Sequence, residues 1–102
     1  MLSALEGIRV LDLTRMLAGP FGSMILADLG AEVIKLESPG EGDLTRYFPP
    51  YFHKGTSAYF LSINRNKKSV VIDLKNEAGL EVFYDLARLS DVVFDNYRPG
   101  VL

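Results

Sequence analysis

Two short apolar runs, Ile8–Leu13 (IRVLDL) and Glu32–Glu37 (EVIKLE), flank a segment with helical spacing. The pattern then returns, with Ser69–Leu74 (SVVIDL) and Asp91–Asp95 (DVVFD) on either side of a second helical stretch. Runs that are mostly apolar rather than strictly alternating suit strands covered on both faces. Strands that alternate with helices predict a parallel sheet with helices packed on it. The expected fold is therefore α/β: a Rossmann-like parallel sheet with flanking helices, built from two βαβ units. Four strands are few for a doubly wound sheet, and the pattern stops where a third crossover is due. The chain thus reads as the incomplete, N-terminal part of a larger domain.

The first helix is expected over roughly Pro20–Leu29, with Pro20 as its first residue, where a missing N–H costs nothing, and Gly30 as its left-handed stop. Phe21, Met24, Ile25, Asp28 and Leu29 share one face at helical spacing. The second helix, about Glu77–Leu89, is capped by Asn76. Its apolar stripe of Leu80, Phe83, Tyr84 and Ala87, widened by Val82, Leu86 and Leu89, predicts burial on two sides. Between the units, Ser38–Ser57 is rich in Pro and Gly and reads as a long loop. Its aromatics Tyr47, Phe48, Tyr51 and Phe52 predict that it packs on a surface, its own or a partner's. Ala58–Ile63 is apolar and of undecided type. Asn64–Lys68 reads as a basic turn, solvated or placed to neutralise phosphate.

Composition narrows the function classes. Of 102 residues, 48% are hydrophobic and 24% charged, within the range of globular domains rather than disordered chains. A net charge of −2 provides no basic field for nucleic acid. No apolar run approaches the roughly 20 residues of a membrane span, so no membrane partner is expected. Met1–Gly7 lacks the basic and apolar regions of a secretory signal, and the expected compartment is the cytoplasm, or a matrix space after removal of a presequence. Cysteine is absent, which removes thiolate catalysis and cysteine metal sites. The single histidine, His53, sits in the aromatic loop and is not read as catalytic.

In open parallel sheets ligands bind beyond the carboxyl ends of the strands. Thr14–Gly19 (TRMLAG), Ser38–Gly42, Asp73–Asn76 and Asn96–Gly100 (NYRPG) occupy those ends and are expected to cluster. Ala18 and Gly19 allow a close approach to backbone, and the helix start behind them offers free N–H groups to an anion. As a spacing alone this segment reads equally well as a plain strand-to-helix turn. Neither a dinucleotide fingerprint nor a P-loop is present. Asn96 can donate hydrogen bonds and Tyr97 can stack on a flat ring.

The ordered series LEGIRVLDLTRMLAGPFGSMILADLGAEVIKLESPGEGDLTR, SAYFLSINRNKKSVVIDLK and DVVFDNYRPG resembles the start of class III (CaiB/BaiF-type) CoA-transferases, over essentially the whole chain from Leu5. Among its branches the pattern is most similar to the dicarboxylate transferases of the succinyl-CoA:glutarate type. The resemblance implies that residues 1–102 are the N-terminal part of a large Rossmann-like, CoA-binding domain, in an interlocked homodimer of much longer chains. It implies an acyl-CoA and a carboxylic acid as substrates, no tightly bound cofactor, and a nucleophilic aspartate beyond Leu102, so that no catalytic residue lies in this chain and the chain alone is inactive. Carried over position by position, the coenzyme A contacts fall on Leu17 and Ala18, on Ser38, on Ile72, Asp73, Leu74 and Lys75, and on Asn96, Tyr97 and Arg98. Some relatives carry arginine where Ser38 stands and glycine where Arg98 stands, which implies either that a cation has moved from one loop to the other or that this branch binds the nucleotide phosphates differently. The resemblance also admits an α-methylacyl-CoA racemase; a non-catalytic CoA-binding or dimerisation module is the alternative outside enzymes.

Overall fold

The structure, a computed structural model, describes residues 3–101. Strand β1 (Arg9–Asp12) leads into helix α1 (Ala18–Asp28) and strand β2 (Glu32–Glu37). The long loop holds a 3-10 turn (Leu44–Tyr47) and a small hairpin, β3 (Phe52–His53) with β4 (Thr56–Ser57). Helix α2 (Ala58–Ile63) then leads into strand β5 (Lys67–Val71), helix α3 (Glu77–Arg88) and strand β6 (Val92–Phe94). The main sheet is parallel, in the order β5-β2-β1-β6.

That order sets the site. The first βαβ unit joins neighbours, with Leu11 opposite Ile34. The second does not: its strands β5 and β6 lie at opposite edges, so its crossover spans the sheet. The winding direction therefore reverses between β1 and β6. In a doubly wound sheet this is where the loops at the strand ends part and leave a crevice.

Two apolar layers hold the helices. Val10 and Val33 pack with Ala27 and Ala31 under α1. On the other face Leu11, Leu13, Leu36 and Ile72 meet Phe83, Leu86 and Ala87 of α3.

Several expectations are corrected. Helix α1 starts at Ala18, so Pro20 is its third residue, and beside Met24 it turns small residues inward: Gly19, Pro20, Ser23 and Ala27 are buried with it. Phe21, Ile25 and Leu29 are about half exposed. The reason is steric. A Cβ on Gly19 would overlap the buried Thr14 side chain, so the close approach of α1 to the strand end selects the small-residue face. Strand β5 begins two residues earlier than expected and ends at Val71; Lys67 and Lys68 belong to it, not to a turn. Lys67 is drawn in because its ammonium finds buried acceptors. Each cation of the basic segment has a carboxylate partner: Arg65 pairs with Asp28, Lys68 with Glu32, and the buried Lys67 with Asp12. Helix α3 is covered on one side only, where Leu80, Phe83, Leu86 and Ala87 are half-buried, and Val82, Tyr84 and Leu89 are exposed. Of the loop aromatics, Tyr47, Tyr51 and Phe52 remain exposed, while Phe48 stacks on Tyr59 at 5.4 Å between centroids. Asn76 caps α3 as expected, its side chain accepting from Ala78 N at 2.9 Å.

Candidate coenzyme-binding site

Two adjoining cavities open at the carboxyl ends of the strands. The larger, about 520 Å³, takes in Ser38, Ile72, Asp73, Leu74, Lys75 and Tyr97 among its lining residues. The smaller, about 360 Å³, is lined by Asn96, Tyr97 and Arg98 together with Arg15, Met16 and Leu44. Arg15, Gly42, Asp43, Tyr97 and Val101 border both. The structure thus brings together eight of the ten residues singled out. Leu17, the N-cap of α1, and Ala18, its first residue, line neither cavity.

Local rules explain how each loop is placed. β5 ends when Ile72 N–H donates to Glu37 O at 3.1 Å, the last bond of that ladder. Asp73 then turns the chain, its carboxylate accepting from Lys75 N at 3.0 Å and its carbonyl from Asn76 N at 3.2 Å. After β6, Asp95 accepts from Tyr97 N at 3.1 Å. Asn96 reaches across to β1's loop and clamps one residue's backbone. Its Oδ1 accepts from Arg15 N at 3.1 Å and its Nδ2 donates to Arg15 O at 2.8 Å. The Arg15 guanidinium lies 4.5 Å from the centroid of the Tyr97 ring. Next to it, Met16 has φ 74°, a left-handed conformation uncommon for a side chain of that size.

The floor of the larger cavity is charged and buried. Lys35 Nζ donates to Thr14 O at 3.0 Å and lies 2.9 Å from Asp43 Oδ2, a contact that is electrostatic rather than a well-directed hydrogen bond. The other Asp43 oxygen accepts from the backbone and hydroxyl of Thr45. Glu37 accepts from Asp43 N, from Arg46 Nε and Nη2, and from the Ser69 hydroxyl. Arg46 in turn lies over the Phe60 ring at 3.9 Å. Burial alone would raise the Glu37 carboxyl, but the Arg46 pair and the other donors outweigh it and hold its pKa at about 2. Burial likewise opposes ionisation of Asp43, yet the Thr45 N–H and the Lys35 ammonium keep its pKa below the ordinary carboxylate value. For Lys67 the balance differs: burial lowers its pKa although Asp12 is adjacent.

This network ties the long loop to the sheet. Sequence reasoning missed it, because Lys35 interrupts a strand pattern without naming a partner and Lys67 falls where the sequence presents a turn. It missed Arg15 too, although a cation directly after a strand end, within the segment TRMLAG, is the signal that would have found it.

Among the described residues no group of three or more His, Cys, Asp or Glu side chains is placed to hold a metal ion. No helix among them is long and apolar enough to cross a membrane. His53 stands exposed in β3 and borders neither cavity.

Comparison with known proteins places this architecture. The chain is 56% identical to succinyl-CoA:glutarate CoA-transferase of Mus musculus, over 96% of this chain and 22% of that protein. It is 48% identical to acetyl-CoA:oxalate CoA-transferase of Acetobacter aceti, over 95% of this chain and 25% of that one. A crystal structure of a CaiB/BaiF family protein from Brucella suis superposes with a TM-score of 0.90 at 42% identity, covering 98% of this chain and 27% of that chain. The chain thus spans about a quarter of the length of the relatives it matches. The model of CoA-transferase family III matches residues 5–102, and the chain belongs to that family.

Proposed function

We propose that this chain forms the coenzyme A-binding edge of an enzyme that moves CoA from an acyl-CoA thioester to a carboxylic acid. One observation carries the reading. The two cavities at the reversal point of the sheet are bordered by Ser38, Ile72, Asp73, Leu74, Lys75, Asn96, Tyr97 and Arg98, the positions that the family pattern assigns to the coenzyme. Leu17 and Ala18 would add contacts from the start of α1. In the whole protein, residues 1–102 would be the N-terminal part of a large domain within a homodimer. A carboxylate from beyond this segment would attack the thioester carbonyl and expel the CoA thiolate, leaving an acyl anhydride. The thiolate would then attack the enzyme's own carbonyl, releasing the first acid. The acceptor carboxylate would displace CoA by the same two steps in reverse. CoA is thus a substrate and no tightly bound cofactor is required. Relatives named for glutarate, oxalate and mesaconate transfer support a dicarboxylate acceptor and favour transfer over racemisation.

Charge supports a polyanionic ligand. Among the described residues, seven of the eleven Lys and Arg side chains pair with acids. Of the other four, Arg15, Lys75 and Arg98 border the cavities, and only Lys54 stands apart. Calorimetric titration with CoA and with dephospho-CoA tests the reading. Saturable binding that weakens without the 3′-phosphate is expected; a folded chain that binds neither would refute it.

A further inference from the structure

The wall shared by the two cavities holds one cation whose position is over-determined and whose charge is unspent. Arg15 borders both spaces. Its backbone is gripped at N–H and C=O by one side chain, Asn96. Its guanidinium stacks on Tyr97, whose ring is rooted in the core cluster of Leu11, Leu13, Leu36 and Ile72. Among the described residues it forms no ion pair, whereas Arg9, Arg46, Arg65 and Arg88 each pair with a carboxylate. Asp43, the acid that borders both cavities, is already matched by Lys35. The junction therefore keeps a net positive charge at Arg15. The guanidinium carbon lies 4.5 Å from the Tyr97 ring centroid, and among the described residues its N–H groups have no hydrogen-bond acceptor, so the planar fork is available to bind a carboxylate or phosphate through two parallel hydrogen bonds.

We propose that Arg15 is an anion-anchoring residue of this site, taking an oxyanion at the junction of the two cavities through its guanidinium fork, with Tyr97 and Asn96 as the residues that position it. This rests on the coenzyme-site reading and extends it to a residue outside the set that the family pattern assigns to CoA. The oxyanion belongs either to a coenzyme phosphate or to the carboxylate of the acid substrate, and the two are separable.

The test compares the native chain with Arg15→Gln and Arg15→Lys, each checked for folding by circular dichroism and titrated separately with CoA and with glutarate. Neither substitution removes the backbone atoms that Asn96 holds. A lost charged hydrogen bond corresponds to roughly 10- to 100-fold in affinity. Arg15→Gln should weaken binding of CoA, or of glutarate, by at least about 10-fold, with only partial recovery in Arg15→Lys, whose ammonium lacks the planar fork. Loss confined to CoA identifies a phosphate; loss confined to glutarate identifies the acid. Unchanged affinity for both in Arg15→Gln overturns the proposal and leaves the coenzyme reading standing. A folded native chain that binds neither ligand overturns both.

Discussion

Lys67 on β5 reaches over the intervening strand β2 to bring its Nζ within 3.2 Å of Asp12 Oδ2 on β1, both side chains being almost completely buried. The same ammonium donates to Pro20 O at 3.0 Å and Asn64 Oδ1 at 2.8 Å, and the same carboxylate accepts from Ser23 and Thr14. One contact thus joins an edge strand, the central strand and the start of α1. Removing one partner of such a pair leaves a charge in a dry interior. Lys67→Ala should destabilise the fold by about 3–5 kcal/mol. Urea unfolding followed by circular dichroism measures it, and a loss below about 1 kcal/mol would show that water reaches Asp12.

Acid should loosen the long loop before the sheet. The folded state holds Glu37 at about 2 against an ordinary value of 4.5. A depressed carboxyl stabilises the fold fully above the unfolded value, and that contribution falls away as pH drops from about 4.5 towards 2. A shift of this size corresponds to roughly 3 kcal/mol. Stability measured by urea at stepped pH should decline across that window in the native chain. In Glu37→Gln the decline should be distinctly shallower; equal slopes would remove Glu37 as the cause.

Gly79 sits where a Cβ would collide with the backbone carbonyl of Asp73. Ordinarily alanine in a helix stabilises by up to about 1 kcal/mol relative to glycine. Here Gly79→Ala should cost about 1–3 kcal/mol instead, as overpacking does, and should displace the Asp73–Lys75 turn that borders the larger cavity. The expected result is a lowered urea midpoint together with weaker CoA binding. A stabilised variant with native affinity would show that α3 yields freely.

Asn96→Ala removes both hydrogen bonds to the Arg15 backbone and leaves Tyr97 in place. Two exposed bonds to neutral groups make this a modest stability change, near 1 kcal/mol. The larger effect should appear in CoA affinity, lowered by about 1–2 kcal/mol because Asn96 itself borders the smaller cavity and a polar partner there is left unmet. Asn96→Asp keeps one acceptor and should fall between the two. Titration calorimetry of the three proteins checks the order.

The α/β class and three of the four main strands were legible because they rest on local patterns: apolar runs, Asn76 before a helix, Gly30 after one. The face of α1 was misread because Phe21, Ile25 and Leu29 form the more apolar stripe, while the deciding constraint, the space between Gly19 and Thr14, is tertiary. Lys35 and Lys67 were illegible for the same reason: their partners Asp43 and Asp12 come from a loop and from a strand that is not adjacent. The start of β5 was set by that pairing rather than by propensity. The strand-end segments could be named in advance because any parallel sheet gathers them on one edge. That Asn96 would grip Arg15 depends on β6 lying beside β1, and strand order is not written in a periodicity.

The central claim is that coenzyme A binds where the strand ends gather. Amide chemical-shift mapping of the ¹⁵N-labelled chain during a CoA titration tests it most directly. Saturable shifts should concentrate at Arg15–Ala18, Ser38, Ile72–Lys75 and Asn96–Arg98, and leave the exposed α1 residues Phe21, Ile25 and Leu29 unmoved. Shifts centred on α1 or on the opposite ends of the strands, or no saturable shift in a folded chain, would contradict it.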